Sequence, residues 1–113
     1  MRDLALGRMK AGQMNRTEAA YAALLEAEKQ AGNILWYAFE GMTFKLADNT
    51  RYTPDFNVMN ADGLMEMHEV KGFFRDDAKV KVKVAPEKFP FRFLVIRKQS
   101  KKAGGGWDVE VFE

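Results

Sequence analysis

Residues 51–72 read RYTPDFNVMNADGLMEMHEVKG. Two apolar runs flank the tripeptide Ala61-Asp62-Gly63, a tight-turn signal, so the segment predicts a β-hairpin. Charges occupy places where core residues are expected: Asp55 in the first run, Glu69 and Lys71 in the second. Residues two apart on a strand share a face, which sets Glu69 and Lys71 side by side. The short turn lays the first run alongside, so Asp55 is expected opposite that pair on the same face. Converging carboxylates repel unless a cation lies between them. Hard oxygen donors without His or Cys point to magnesium, with manganese as a substitute. A lysine beside such an ion can orient or help deprotonate a water and neutralise charge on an attacked phosphate. That combination suits phosphodiester hydrolysis.

Before this hairpin, residues 15–31 predict a helix. Asn15 is a good N-cap, Glu18 stands three places later as in a capping box, and Gly32 suits the position after the C-cap. Tyr21, Leu24 and Leu25 fall on one helix face, with Glu18 at its edge. Next, ILWYAFE (34–40) and MTFKLA (42–47) read as strands turned at Gly41, and DNT (48–50) as a second turn. RYTPDFNVM (51–59) reads as one strand. After the hairpin, FRFLVIRK (91–98) is a buried strand and WDVEVFE (107–113) an edge strand. Residues 76–85, DDAKVKVKVA, are ambiguous. Their Val/Lys alternation favours a strand; the Asp pair, Ala78 and the place between two strands favour a helix, and Pro86 is expected to end either one. Phe73, Phe74, Met59, Met65 and Met67 read as packing residues. His68, next to Glu69, faces the other way and reads as a packed or surface histidine.

At 113 residues, 47% hydrophobic and 30% charged, the chain has the size and composition of one globular domain, expected at 15–113 after a basic arm at 1–14. The lack of cysteine excludes disulfides, thiolate metal sites and a cysteine nucleophile, and fits a reducing cytoplasm. No run reads as a signal peptide or membrane span, so no membrane partner is expected. The net charge of +2 hides an acidic stretch at 18–70 followed by a basic stretch at 71–102. Such a pattern suits a cation site that grips a polyanion. Arg75, Lys79, Lys83, Arg97 and Lys98 are the candidate phosphate contacts. The triple glycine at 104–106 has no helix after it and does not read as a phosphate-binding loop.

Pro54-Asp55, then Glu69-Val70-Lys71, matches the PD-(D/E)xK signature of metal-dependent nucleases. YTPDF (52–56) and EVKGFFRDDAKVK (69–81) resemble the phage endonuclease I family of Holliday-junction resolvases. Residues 14–98 also resemble a small phage and prophage PD-(D/E)xK family without an assigned function. The resemblance implies an α/β, restriction-endonuclease-like core: an N-terminal helix, a mixed sheet carrying the motif on a hairpin, a second helix, then strands. It supports the helical reading of 76–85. It implies metal ligation by Asp55, Glu69, the Val70 carbonyl and Glu18 of the first helix, with Lys71 joining these acids as a catalytic residue. The implied function is a magnesium-dependent endonuclease in a host cytoplasm, acting on branched or duplex DNA, with junction resolution leading and a homodimer suited to paired cuts. The alternatives are a nicking or general DNA-processing nuclease, and a non-catalytic DNA-binding protein on a nuclease fold.

Overall fold

The computed structural model describes residues 12–72 and 79–113, with Lys79 and Val80 described by backbone alone. Its order is α1 (Arg16–Gln30), β1 (Ile34–Phe39), β2 (Phe44–Ala47), β3 (Thr50–Tyr52), β4 (Phe56–Asn60), β5 (Met65–Lys71), α2 (Lys79–Lys88), β6 (Arg92–Lys98) and β7 (Trp107–Phe112). A short 3-10 turn at Lys101–Ala103 precedes β7.

Helix α1 begins where the capping chemistry places it. Asn15 Oδ1 accepts from the Glu18 N–H (2.8 Å) and Glu18 Oε1 accepts from the Asn15 N–H (2.9 Å), completing a capping box. Gly32, at φ +81°, takes the left-handed turn that ends the helix. Tyr21 and Leu25 are buried, but Leu24 is exposed. The sequence expectation put all three on the covered face; the observed face is narrower and continues through Met14 and Ala22.

Five strands form a mixed sheet in the order β1-β4-β5-β6-β7, antiparallel except for the parallel β5–β6 pair. Strands β2 and β3 form a separate hairpin. Alternation gives the main sheet two working faces. One receives α1: Phe56, Val58, Val70, Leu94 and Ile96 pack with Tyr21 and Leu25. On the other, Met67, Phe93 and Val95 pack against Phe44, Leu46 and Tyr52 of the hairpin and Val82 and Ala85 of α2. Between β4 and β5, Asn60 Oδ1 accepts from the N–H groups of Asp62 and Leu64, and Gly63 takes φ +84°, so the predicted turn forms at 61–63. As expected, β7 lies at the sheet edge.

Two expectations are corrected. RYTPDFNVM is not one strand. It breaks at Thr53–Asp55, leaving Tyr52 in the small hairpin and Phe56 in the main sheet. Pro54 has no N–H to donate, so a continuous ladder through it would lose a bond. Pro86 does not end α2, which runs on to Lys88. It sits in the last turn, where its missing N–H removes only one bond near the helix end, and Phe89 N–H still reaches the Ala85 carbonyl (3.0 Å). The helical reading holds over 79–85; residues 76–78 lie outside the described residues. Burial of Val82 and Ala85, with Phe89 packed against their cluster, reveals a helical period beneath the Val/Lys alternation.

Candidate functional site

The strand break builds the site. In the β4–β5 register Phe56 faces His68, so Pro54 stands where a partner for Val70 would come next. The Val70 N–H instead donates to Asp55 Oδ2 (2.8 Å). Meanwhile the Asp55 carbonyl accepts from the Glu40 N–H (2.8 Å), fixing the backbone beside β1. Asp55 thus leaves the end of β4 with its side chain turned to β5.

On β5, Glu69 and Lys71 share a face as alternation requires, with Lys71 Nζ 3.1 Å from Glu69 Oε2. Glu69 is only 6% exposed, although it is an acid. Its other oxygen accepts from the Tyr52 hydroxyl (2.8 Å), brought over the sheet by β3. Sequence reading missed Tyr52. It is 17 residues from Glu69 in the chain and the two meet only when the hairpin folds over the sheet.

Asp55 sits where its charged form is disfavoured. Burial, then the Glu69 charge, push the Asp55 carboxyl up to about 8; Glu18 adds to this, while the Val70 N–H and Lys71 oppose it. Burial and the Glu69 charge also raise the Tyr52 hydroxyl far above its ordinary range, so it remains a donor. Glu18, half-buried, is near enough for its charge to act on Asp55 while serving as the cap of α1. Asp55, Glu69 and the Val70 carbonyl are the groups here that could hold a cation; Glu18, expected as a further ligand, does not close with the two acids into a three-acid group among the described residues and reaches Asp55 through its charge. A residue in an extended strand sends its N–H and C=O to the same side, so that carbonyl leaves β5 beside Asp55.

The remaining candidates divide. Arg97 is paired in register with Lys71 on the neighbouring parallel strand, and its guanidinium lies 3.1 Å from Glu110. Lys98 lies on the α1 face, its ammonium 4.9 Å from the Trp107 ring centroid. Lys83 is exposed on α2, and its neighbour Lys81 donates to the Arg51 carbonyl (3.1 Å), tying α2 to β3. Arg75, Phe73 and Phe74, and the side chain of Lys79, lie outside the described residues. His68 turns away from Glu69, as expected. It is 6% exposed, with Nδ1 2.7 Å from the Tyr21 hydroxyl and Nε2 3.0 Å from Glu66 Oε1. That hydrogen bond is the main reason Glu66 is held below the usual carboxylate range. Met67 is buried and Met65 packs at the edge of its cluster; Met59 is half-buried. No helix among the described residues is long and apolar enough to cross a membrane.

No curated protein and no solved structure matches the chain. Residues 13–104 match the family model described as "Protein of unknown function (DUF1064)", and the chain belongs to that family.

Proposed function

We propose that this protein is a divalent-cation-dependent DNA endonuclease with a PD-(D/E)xK, restriction-endonuclease-like core. The carrying observation is the convergence of Asp55, Glu69 and Lys71 at a strand break, with the Asp55 carboxyl pushed up to about 8. A protein gains little from holding two acids this way unless a cation replaces the proton.

The donor set fits a small hard cation. Among the described residues no three His, Cys, Asp or Glu side chains converge closely enough to form a metal cage. Magnesium needs none, since it binds through one or two carboxylates and keeps several waters. Asp55 and Glu69 would hold it with the Val70 carbonyl, and Glu18 would add negative charge from α1. When bound, the ion supplies Lewis acidity toward water and phosphate. Lys71 presents its ammonium to the negative charge that builds on the phosphate. In this reading Arg97, beside it on β6, would meet a phosphate oxygen, and the exposed Lys83 the more distant backbone.

The substrate we favour is branched DNA, a four-way junction first, cut by a homodimer whose symmetry matches paired incisions. The test incubates the intact protein with magnesium or manganese and linear duplex, single-stranded, flap or four-way-junction DNA, and maps the cuts. Paired symmetric cuts near the branch point support junction resolution. Cuts in linear duplex point to a general nuclease. DNA binding with no cut in any form and either ion overturns the catalytic reading and leaves a binding protein.

A further inference from the structure

Glu69 is a buried carboxylate whose two oxygens have different partners: Tyr52 on Oε1 at 2.8 Å and Lys71 on Oε2 at 3.1 Å. Tyr52 is itself 4% exposed, its ring packed near Phe93 at a centroid separation of 6.3 Å. Ring and hydroxyl therefore do separable work. The ring fills the space between hairpin and sheet; the hydroxyl is a single donor fixed in direction by that packing. From these contacts we propose that Tyr52 is a positioning residue, whose hydroxyl keeps the Glu69 carboxylate turned for cation binding. The inference rests on the metal-site reading above.

The physical reason is competition for Glu69. A lysine ammonium beside a carboxylate attracts both of its oxygens. With only Lys71 nearby, Glu69 is free to rotate and give both oxygens to the ammonium, leaving Asp55 without a second ligand to share a cation. Tyr52 prevents this by holding Oε1 from the opposite layer, and each oxygen keeps a further lone pair. The same contact ties the β2–β3 hairpin to the site, and Lys81 ties α2 to that hairpin one residue earlier, at the Arg51 carbonyl. Partners of metal ligands that act this way change metal affinity by about 10- to 100-fold when removed.

The experiment titrates manganese, without DNA, into intact wild-type protein and Tyr52→Phe, following free manganese by electron paramagnetic resonance. Thermal unfolding of both is recorded alongside. Phenylalanine keeps the ring and loses only the donor. The expected result is manganese affinity about 10- to 100-fold weaker in Tyr52→Phe, a melting temperature close to wild type without metal, and cleavage that recovers as manganese is raised. Equal affinities in the two proteins overturn the positioning role and leave the metal site standing. Failure of wild type itself to bind manganese overturns the metal reading, and this role with it. Should Tyr52→Phe not fold, the carbon-13 resonance of the Tyr52 ring carbon bearing the hydroxyl is followed in wild-type protein during magnesium titration. A shift that saturates with metal binding supports the role, and an unmoved resonance at saturation overturns it.

Discussion

Asp55→Asn should make the metal-free protein more stable at neutral pH, and the size of that gain measures what the buried acid costs when no cation is bound. The folded carboxyl is pushed up to about 8, from an ordinary 3.8, chiefly by burial and by Glu69. Between those values the folded state binds a proton that the unfolded state releases. Stability from this group is therefore fully present below about pH 4 and is lost as pH rises toward 8. Each pKa unit is worth about 1.4 kcal/mol, so the ceiling is roughly 6 kcal/mol at pH 8 and above and roughly 4 kcal/mol at pH 7. Asp55 keeps partial exposure, and solvent screening reduces the expected penalty at pH 7 to about 2 kcal/mol. Asparagine removes the charge yet keeps an oxygen able to accept from the Val70 N–H.

Thermal and urea unfolding, followed by circular dichroism from pH 4.5 to 8 without divalent ions, would measure this. At pH 7 Asp55→Asn should be more stable by about 2 kcal/mol, roughly 8 °C in melting temperature, and the gap should close toward pH 4.5. Magnesium should then reverse the order. A ligand at about 100 times its dissociation constant adds about 2.7 kcal/mol to the protein that binds it. Wild type should gain that amount, while the variant, lacking a ligand charge, gains little and cuts no DNA. A variant less stable than wild type at pH 7, or a gap unchanged across the pH range, would refute the reasoning. Asp55 would then matter only as the acceptor for the Val70 N–H.

Lys71→Ala should lower cleavage by about 100-fold or more, with manganese affinity kept, since the proposed mechanism has its charge act on the transition state and not on the metal; single-turnover rates and a metal titration check the two halves. Lys83→Ala should reduce the slope of log DNA affinity against log salt by about one, the loss of one phosphate contact, measured by fluorescence anisotropy at several salt concentrations; an unchanged slope would make Lys83 a solvated residue only. Asn15→Ala should cost about 1 kcal/mol in urea unfolding, since it removes one half of the capping box of α1.

How much of this was legible in the sequence depended on how local the cause was. The cap of α1, the turn at 61–63 and the shared face of Glu69 and Lys71 follow from neighbours within four residues, and all three form as read. Where the outcome depended on another layer, the sequence was less direct. Leu24 lies outward because the surface α1 rests on is narrower than its apolar stripe. Val80, Val82 and Val84 alternate like a strand, yet the segment folds as a helix that buries Val82 and Ala85 on the sheet. Neither Tyr52 on Glu69 nor Tyr21 on His68 has any local signature, because each pair joins different layers across 17 and 47 residues.

The pentapeptide Tyr52–Phe56 shows why misreading one strand obscured part of the site. Read as continuous, alternation puts Tyr52, Pro54 and Phe56 on one face and Thr53 and Asp55 on the other. The observed break assigns them differently. Tyr52 ends β3 and joins the layer that carries the hairpin and α2, while Phe56 starts β4 and enters the α1 core on the opposite face. Pro54 interrupts the ladder between them, and Asp55 takes the Val70 N–H that the interruption left without a backbone partner. A Pro54→Val change restores a donor and permits a longer β4. Such a strand would draw Tyr52 off Glu69 and replace the Asp55 carboxylate at Val70 with backbone. The proline therefore belongs to the site through geometry alone: it separates two side chains that must reach β5 from different layers.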